Sequence, residues 1–109
     1  MDGICLTLYT YENQQHKGLL TYEWLLECAK KHKIPGGSVF RAIAGYGRHG
    51  VIHEEHFFEL ASNVPVEVVF ILSYTETEKF LDVLKTEIAD LFYTKKPVQF
   101  EKLTHGVKK

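Results

Sequence analysis

The chain has 109 residues, 45% of them hydrophobic, and its 13 Lys and Arg against 14 Asp and Glu give a net charge of −1. A chain of this length is a single domain that can bury roughly two-thirds of its unfolded surface without a disulfide or metal to hold it. The even charge balance argues against a broad nucleic-acid-binding surface, and no apolar run approaches the roughly 20 residues of a membrane helix.

Taken in order, Ile4 to Tyr11 is rich in strand formers and places Ile4, Leu6 and Leu8 on one face. Glu12 to Gly18 is polar and reads as a loop. Leu19 to Lys33 reads as an amphipathic helix: Leu25, Cys28, Ala29 and His32 share a face, lysines crowd the C-terminal end, and Pro35-Gly36-Gly37 stops it. Ser38 to Ala44 is a second strand. A third, Val66 to Ser73, follows Pro65. Thr75 and Glu78 form a capping-box pattern for a second helix with the apolar stripe Phe80, Val83, Leu84, Ile88 and Leu91. Phe92 to Leu103 is a fourth strand, which Pro97 places at a sheet edge or a bulge.

The order is β-α-β-β-α-β, an α+β ferredoxin-like sandwich with two helices on one face of a four-stranded antiparallel sheet. Residues 1–104 form the domain and 105–109 an exposed tail. The third strand is apolar on both faces, with Val66, Val68, Phe70 and Leu72 on one side and Val69 and Ile71 on the other. The second face must therefore be covered, by other subunits or by the longer loops. Cys5 and Cys28 lie far apart and read as small buried hydrophobes of a reduced protein. Met1-Asp2-Gly3-Ile4 has no basic n-region, so the expected location is cytoplasmic.

The segment richest in chemistry is Ala44-Gly45-Tyr46-Gly47-Arg48-His49-Gly50-Val51-Ile52-His53. Its glycines allow close backbone approach, and Arg48 offers a planar, fixed cation suited to phosphate or carboxylate. Gly45, Gly47 and Gly50 satisfy G-x-G-x-x-G, but the helix and the acidic residue about 20 positions on that a dinucleotide site requires are missing. The expected ligand-binding residues are Arg41, Gly45, Gly47, Arg48, His49, Gly50 and His53, with Lys17 from the first loop. For Arg41 the alternative is an ion pair between subunits, with Glu67. The spacing of His49, His53 and His56 leaves a divalent-metal site as the rival reading, and His32 reads as a surface residue that compensates its helix dipole. No catalytic constellation stands out, so the chain reads as a binding protein rather than an enzyme.

The run Val39-Phe40-Arg41-Ala42-Ile43-Ala44-Gly45-Tyr46-Gly47-Arg48-His49-Gly50-Val51-Ile52-His53, with Asn63-Val64-Pro65-Val66-Glu67-Val68-Val69 and Tyr22-Glu23-Trp24-Leu25-Leu26, resembles the bacterial family catalogued as domain of unknown function 190. That family is similar in turn to the PII signalling proteins. The resemblance implies a homotrimer with adenine-nucleotide sites between subunits and a loop, here Gly47 to Asn63, that docks onto a partner protein. PII proteins cradle phosphate with a glycine-rich turn after the third strand. This chain has Tyr74-Thr75-Glu76-Thr77-Glu78 there, whose carboxylates repel phosphate, so the expected anion site rests on the loop root instead.

Overall fold

Strand β1, Asp2–Tyr11, alternates as the sequence requires: Ile4, Leu6 and Leu8 are buried, while Cys5, Thr7 and Tyr9 face the other way. The structure, a computed structural model, describes residues 1–45 and 63–105. After β1 come β2 (Gln15–His16), β3 (Leu19–Leu20), α1 (Thr21–Lys31), β4 (Ser38–Arg41), β5 (Pro65–Leu72), α2 (Tyr74–Glu87) and β6 (Phe92–Gln99). The main sheet has the order β4-β5-β1-β6, and every pairing in it is antiparallel. This is the expected ferredoxin-like sandwich, with β6 and its Pro97 at an edge, where a missing N–H costs nothing.

Both helices pack on the face that carries Leu6, Leu8, Val66, Val68, Phe70 and Leu72. Leu25, Cys28 and Ala29 from α1, and Phe80, Leu81 and Leu84 from α2, complete the core. The Phe70 and Phe80 rings meet edge to face at 5.2 Å. Each side chain of this size contributes about 1.5–3 kcal/mol on full burial. Leu81 lies outside the stripe read from the sequence, whereas Val83, Ile88 and Leu91 sit half-buried at its margin.

Several boundaries move for local reasons. The first helix starts at Thr21 because Leu19 and Leu20 pair with His16 and Gln15 in a small hairpin within the expected loop. Its two-residue turn, Lys17-Gly18, has φ of +52° and +82°, the positive values of a type I′ turn. The second helix is capped by Ser73, not Thr75. The Ser73 hydroxyl accepts the Glu76 N–H at 3.1 Å, and the Glu76 carboxylate accepts the Ser73 N–H at 2.9 Å, which leaves Thr75 inside the helix. The second strand stops at Arg41, although the Ala42 N–H still donates to the Pro65 carbonyl at 2.9 Å. The last strand stops at Gln99, and residues 101–105 are exposed.

The register defines the second face. Cys5 lies opposite Ile71, Thr7 opposite Val69, Tyr9 between Glu67 and Phe92, and Phe40 beside Glu67. Phe40, Ile71 and Phe92 are exposed there by 57%, 42% and 42%, so neither helix covers this side. Arg41 is in register with Val66 and leaves from the opposite face to Glu67. Within this chain its partner is Glu12.

Gly36 and Gly37 separate two kinds of glycine. A Cβ on Gly37 would meet the Phe70 ring, with Cδ1 at 2.8 Å, whereas one on Gly36 would meet open space. Gly37→Ala is therefore expected to destabilise by about 1–3 kcal/mol, and Gly36→Ala to stay within about 0.5 kcal/mol, by urea denaturation of the two variants.

Candidate functional site

The expected ligand loop leaves the sheet between β4 and β5, and its root is tied to the end of β1. The Glu12 N–H donates to the Val64 carbonyl at 3.0 Å, and the Asn13 N–H donates to the Asn63 side-chain oxygen at 2.9 Å. Val64 itself is buried. Arg41, the last residue of β4, donates from Nε to both carboxylate oxygens of Glu12 at 3.0 and 3.1 Å. Gly45 has φ +154°, and a Cβ there would sit 3.3 Å from the Pro65 ring, so backbone angle and space both favour glycine. Three strand ends thus converge where the loop begins and returns.

Of the expected site residues, the structure places Arg41 and Gly45 at this root. Gly47, Arg48, His49, Gly50, His53 and the alternative metal ligand His56 lie outside the described residues. Among the described residues, no group of three His, Cys, Asp or Glu is arranged to hold a metal ion.

Lys17 stands in different surroundings. Its Nζ pairs with the Glu87 carboxylate at 2.7 Å, at the end of α2. The pair borders a cleft of about 340 Å³ between α1 and α2, into which Trp24, Glu27, Cys28, Lys31, His32 and Val83 also project. The Trp24 ring is met edge-on by His16 at 4.5 Å, which fixes the hairpin against α1. His32 caps α1, and its Nδ1 lies 2.9 Å from the Cys28 carbonyl oxygen. A carbonyl only accepts, so this nitrogen carries the hydrogen. Burial pushes the Cys28 thiol up from its ordinary value, and the negative Glu87 adds to the shift. The thiol is therefore held protonated and unreactive, as the sequence reading of a small buried hydrophobe requires. Nothing in the sequence spacing marked this cleft, because its walls come from residues 51 to 70 positions apart.

The fold defines a class. The chain folds as PII-like proteins do: it matches CPII, a nitrogen regulatory PII-like protein from Thiomonas intermedia K12 solved with ADP, AMP and bicarbonate, at a TM-score of 0.63. That match covers 95% of this chain and 98% of the other at 10% identity, a likeness of fold alone. The family model DUF190, described as "Uncharacterized ACR", matches residues 3–100, and the chain belongs to that family. It is 39% identical over 80 residues to a UPF0166 protein of Aquifex aeolicus, covering 73% of this chain and 76% of that one. It is 36% identical over 61 residues to a UPF0166 protein of Methanocaldococcus jannaschii, 56% of each chain.

The Lys17 hydrogen bond and charge hold the Glu87 carboxyl below the ordinary carboxylate range, with His16 and Lys31 adding to the effect. A folded value lowered below the unfolded one gives stability that is present above the ordinary range. That stability is lost as the pH falls through the depressed value. Lys17→Ala should return the Glu87 titration toward the ordinary carboxylate range, read by NMR of its side-chain carboxyl carbon across an acid titration.

Proposed function

We propose that this chain is a PII-like regulatory protein that assembles as a homotrimer and binds a small anionic ligand, foremost an adenine nucleotide, at a subunit boundary beside loop 45–63. It signals to a partner protein through residues 47–63. The observation that carries this reading is the loop root, where Arg41 is held by Glu12 at the point from which the glycine-, arginine- and histidine-bearing segment departs. The PII-like fold supports it, as does a solved protein of that fold that carries ADP and AMP.

The assembly follows from the second sheet face. Cys5, Tyr9, Phe40, Val69, Ile71 and Phe92 lie on the side away from the helices, the apolar and aromatic share of a face that also carries Thr7, Glu67, Thr94 and Lys96. Leaving it in water is costly, and a closed ring of three subunits buries it without creating a new open surface. Among the described residues, no helix is long and apolar enough to cross a membrane.

The mechanism is binding rather than turnover. Gly45, Gly47 and Gly50 let the backbone approach the anion, Arg48 supplies the fork, and His49 or His53 donates a further hydrogen bond. Arg41 completes the charge at the root. Lys17 enters only from a neighbouring subunit and after release from Glu87. The bound anion favours one arrangement of the loop, and the partner distinguishes the two arrangements, so the signal is a population shift.

Two measurements test this reading. Light scattering should give about three times the 12.6 kDa chain mass, and Ile71→Asp should give a monomer, because a buried unpaired carboxylate opposes closure. A stable wild-type monomer would remove the assembly and the boundary site with it.

For the ligand, titration calorimetry with ADP should show that Arg48→Ala weakens binding by about 1.5–3 kcal/mol, with Arg48→Lys recovering only part. Both variants should remain trimeric. Equal ADP affinity in wild type and Arg48→Ala would move the site elsewhere. Binding that disappears with a chelator would instead favour the metal set His49, His53 and His56.

A further inference from the structure

We propose that the cleft between α1 and α2 is a second, separate binding site, which takes a small apolar α-amino acid by its zwitterionic head. The argument begins on α1. Trp24, Glu27 and Lys31 lie at i, i+3 and i+7, on one stripe of the helix, and all three line the cleft. Glu27 and Lys31 are one turn apart in the order that usually closes an ion pair on a helix surface. Among the described residues no ion pair joins them. The opposite wall holds the other two charges of the cleft, Lys17 and Glu87, and these are closed on each other at 2.7 Å.

The cleft therefore offers one ammonium and one carboxylate on a single helix stripe, neither closed in an ion pair although Lys31 lies within the field of Glu87, with no net charge from its four lysine and glutamate side chains. A ligand of one charge would satisfy Glu27 or Lys31 and leave the other to water. A zwitterion satisfies both, its carboxylate toward Lys31 and its ammonium toward Glu27. Trp24 adds a ring face that attracts an ammonium group. Trp24 and Val83 together give the apolar wall on which an aliphatic side chain would rest. The volume of about 340 Å³ lies at the small end of ligand sites, about 300–1,000 Å³, which suits an amino acid. The same neutrality disfavours a phosphate-bearing ligand, so this cleft and the arginine-bearing loop select different chemistry.

The chain has a single tryptophan, and it lines the cleft, so its fluorescence reports on this site. Titration of the native protein with L-leucine should change that fluorescence saturably. N-acetyl-L-leucine lacks the ammonium and L-leucinamide lacks the carboxylate, so each should bind about tenfold more weakly or worse, the usual scale for loss of one charged contact. Glu27→Gln should remove the preference for L-leucine over N-acetyl-L-leucine, and Lys31→Met the preference over L-leucinamide. Both positions are exposed, and circular dichroism should show both variants folded. No saturable change with L-leucine, equal binding of the three probes, or an unchanged ranking in the folded variants would each overturn the proposal. Should a variant misfold, the ranking of the three probes on the native protein decides alone.

Discussion

The position of β1 is the constraint on which the rest of this molecule depends. It is the longer of the two central strands, in register with β5 over Ile4 to Tyr11 and with β6 over Asp2 to Tyr9. Leu6 and Leu8 at its centre have no exposed surface, and both helices close over them. Its start is equally constrained. A Cβ on Gly3 would collide with the Leu72 carbonyl oxygen and the Phe100 ring, so a residue without a side chain is needed where the strand passes between them. Its end carries Glu12 and Asn13, which tie down the two sides of the loop root. Core packing and site placement are thus consequences of one strand.

Of the three cations Arg41, Arg48 and Lys17 expected to meet a ligand, the two within the described residues are both engaged by carboxylates of the chain. Arg41 is fixed by Glu12 and Lys17 by Glu87, in half-exposed pairs whose contribution to stability is small. Their effect is on direction. The Arg41 fork has five donors, and Glu12 uses only its Nε edge, so the side chain is oriented while retaining the capacity for a second oxyanion. Lys17 has a compact ammonium, and its backbone is held in the left-handed region by the type I′ turn. Its place is set by the hairpin rather than by the loop.

The sheet is finished on one side only. Its helix-covered face is a packed core, whereas the other displays Phe40, Ile71 and Phe92. An antiparallel sheet with a solvated face would alternate apolar and polar residues. β5 breaks that rule at Val69 and Ile71, and β1 at Cys5 and Tyr9, in neighbouring register positions. The departure falls at neighbouring register positions of both central strands, on a face that also carries the polar Thr7, Glu67 and Thr94.

Periodicity along the chain was enough to determine the order of the main elements, the apolar faces of β1 and α1 and the doubly apolar β5, because each depends on residues two to seven positions apart; which face of β5 is buried, and that Pro97 sits at an edge rather than a bulge, came only with the sheet order. The same reading drew the small hairpin as a loop, since a two-residue ladder has too few positions to show a period. It also set the second cap two residues late, because Ser73-x-x-Glu76 and Thr75-x-x-Glu78 carry the same signature and only the hydrogen bonds choose between them. Of the candidate site, the sequence marked Arg41 and Gly45 at the loop root. Only the tertiary structure decided that Glu12 holds Arg41, that Lys17 belongs with Glu87, and that Trp24, Glu27 and Lys31 border a cleft. Those contacts join residues 29 to 70 positions apart, or depend on how two helices diverge, and no local pattern encodes either.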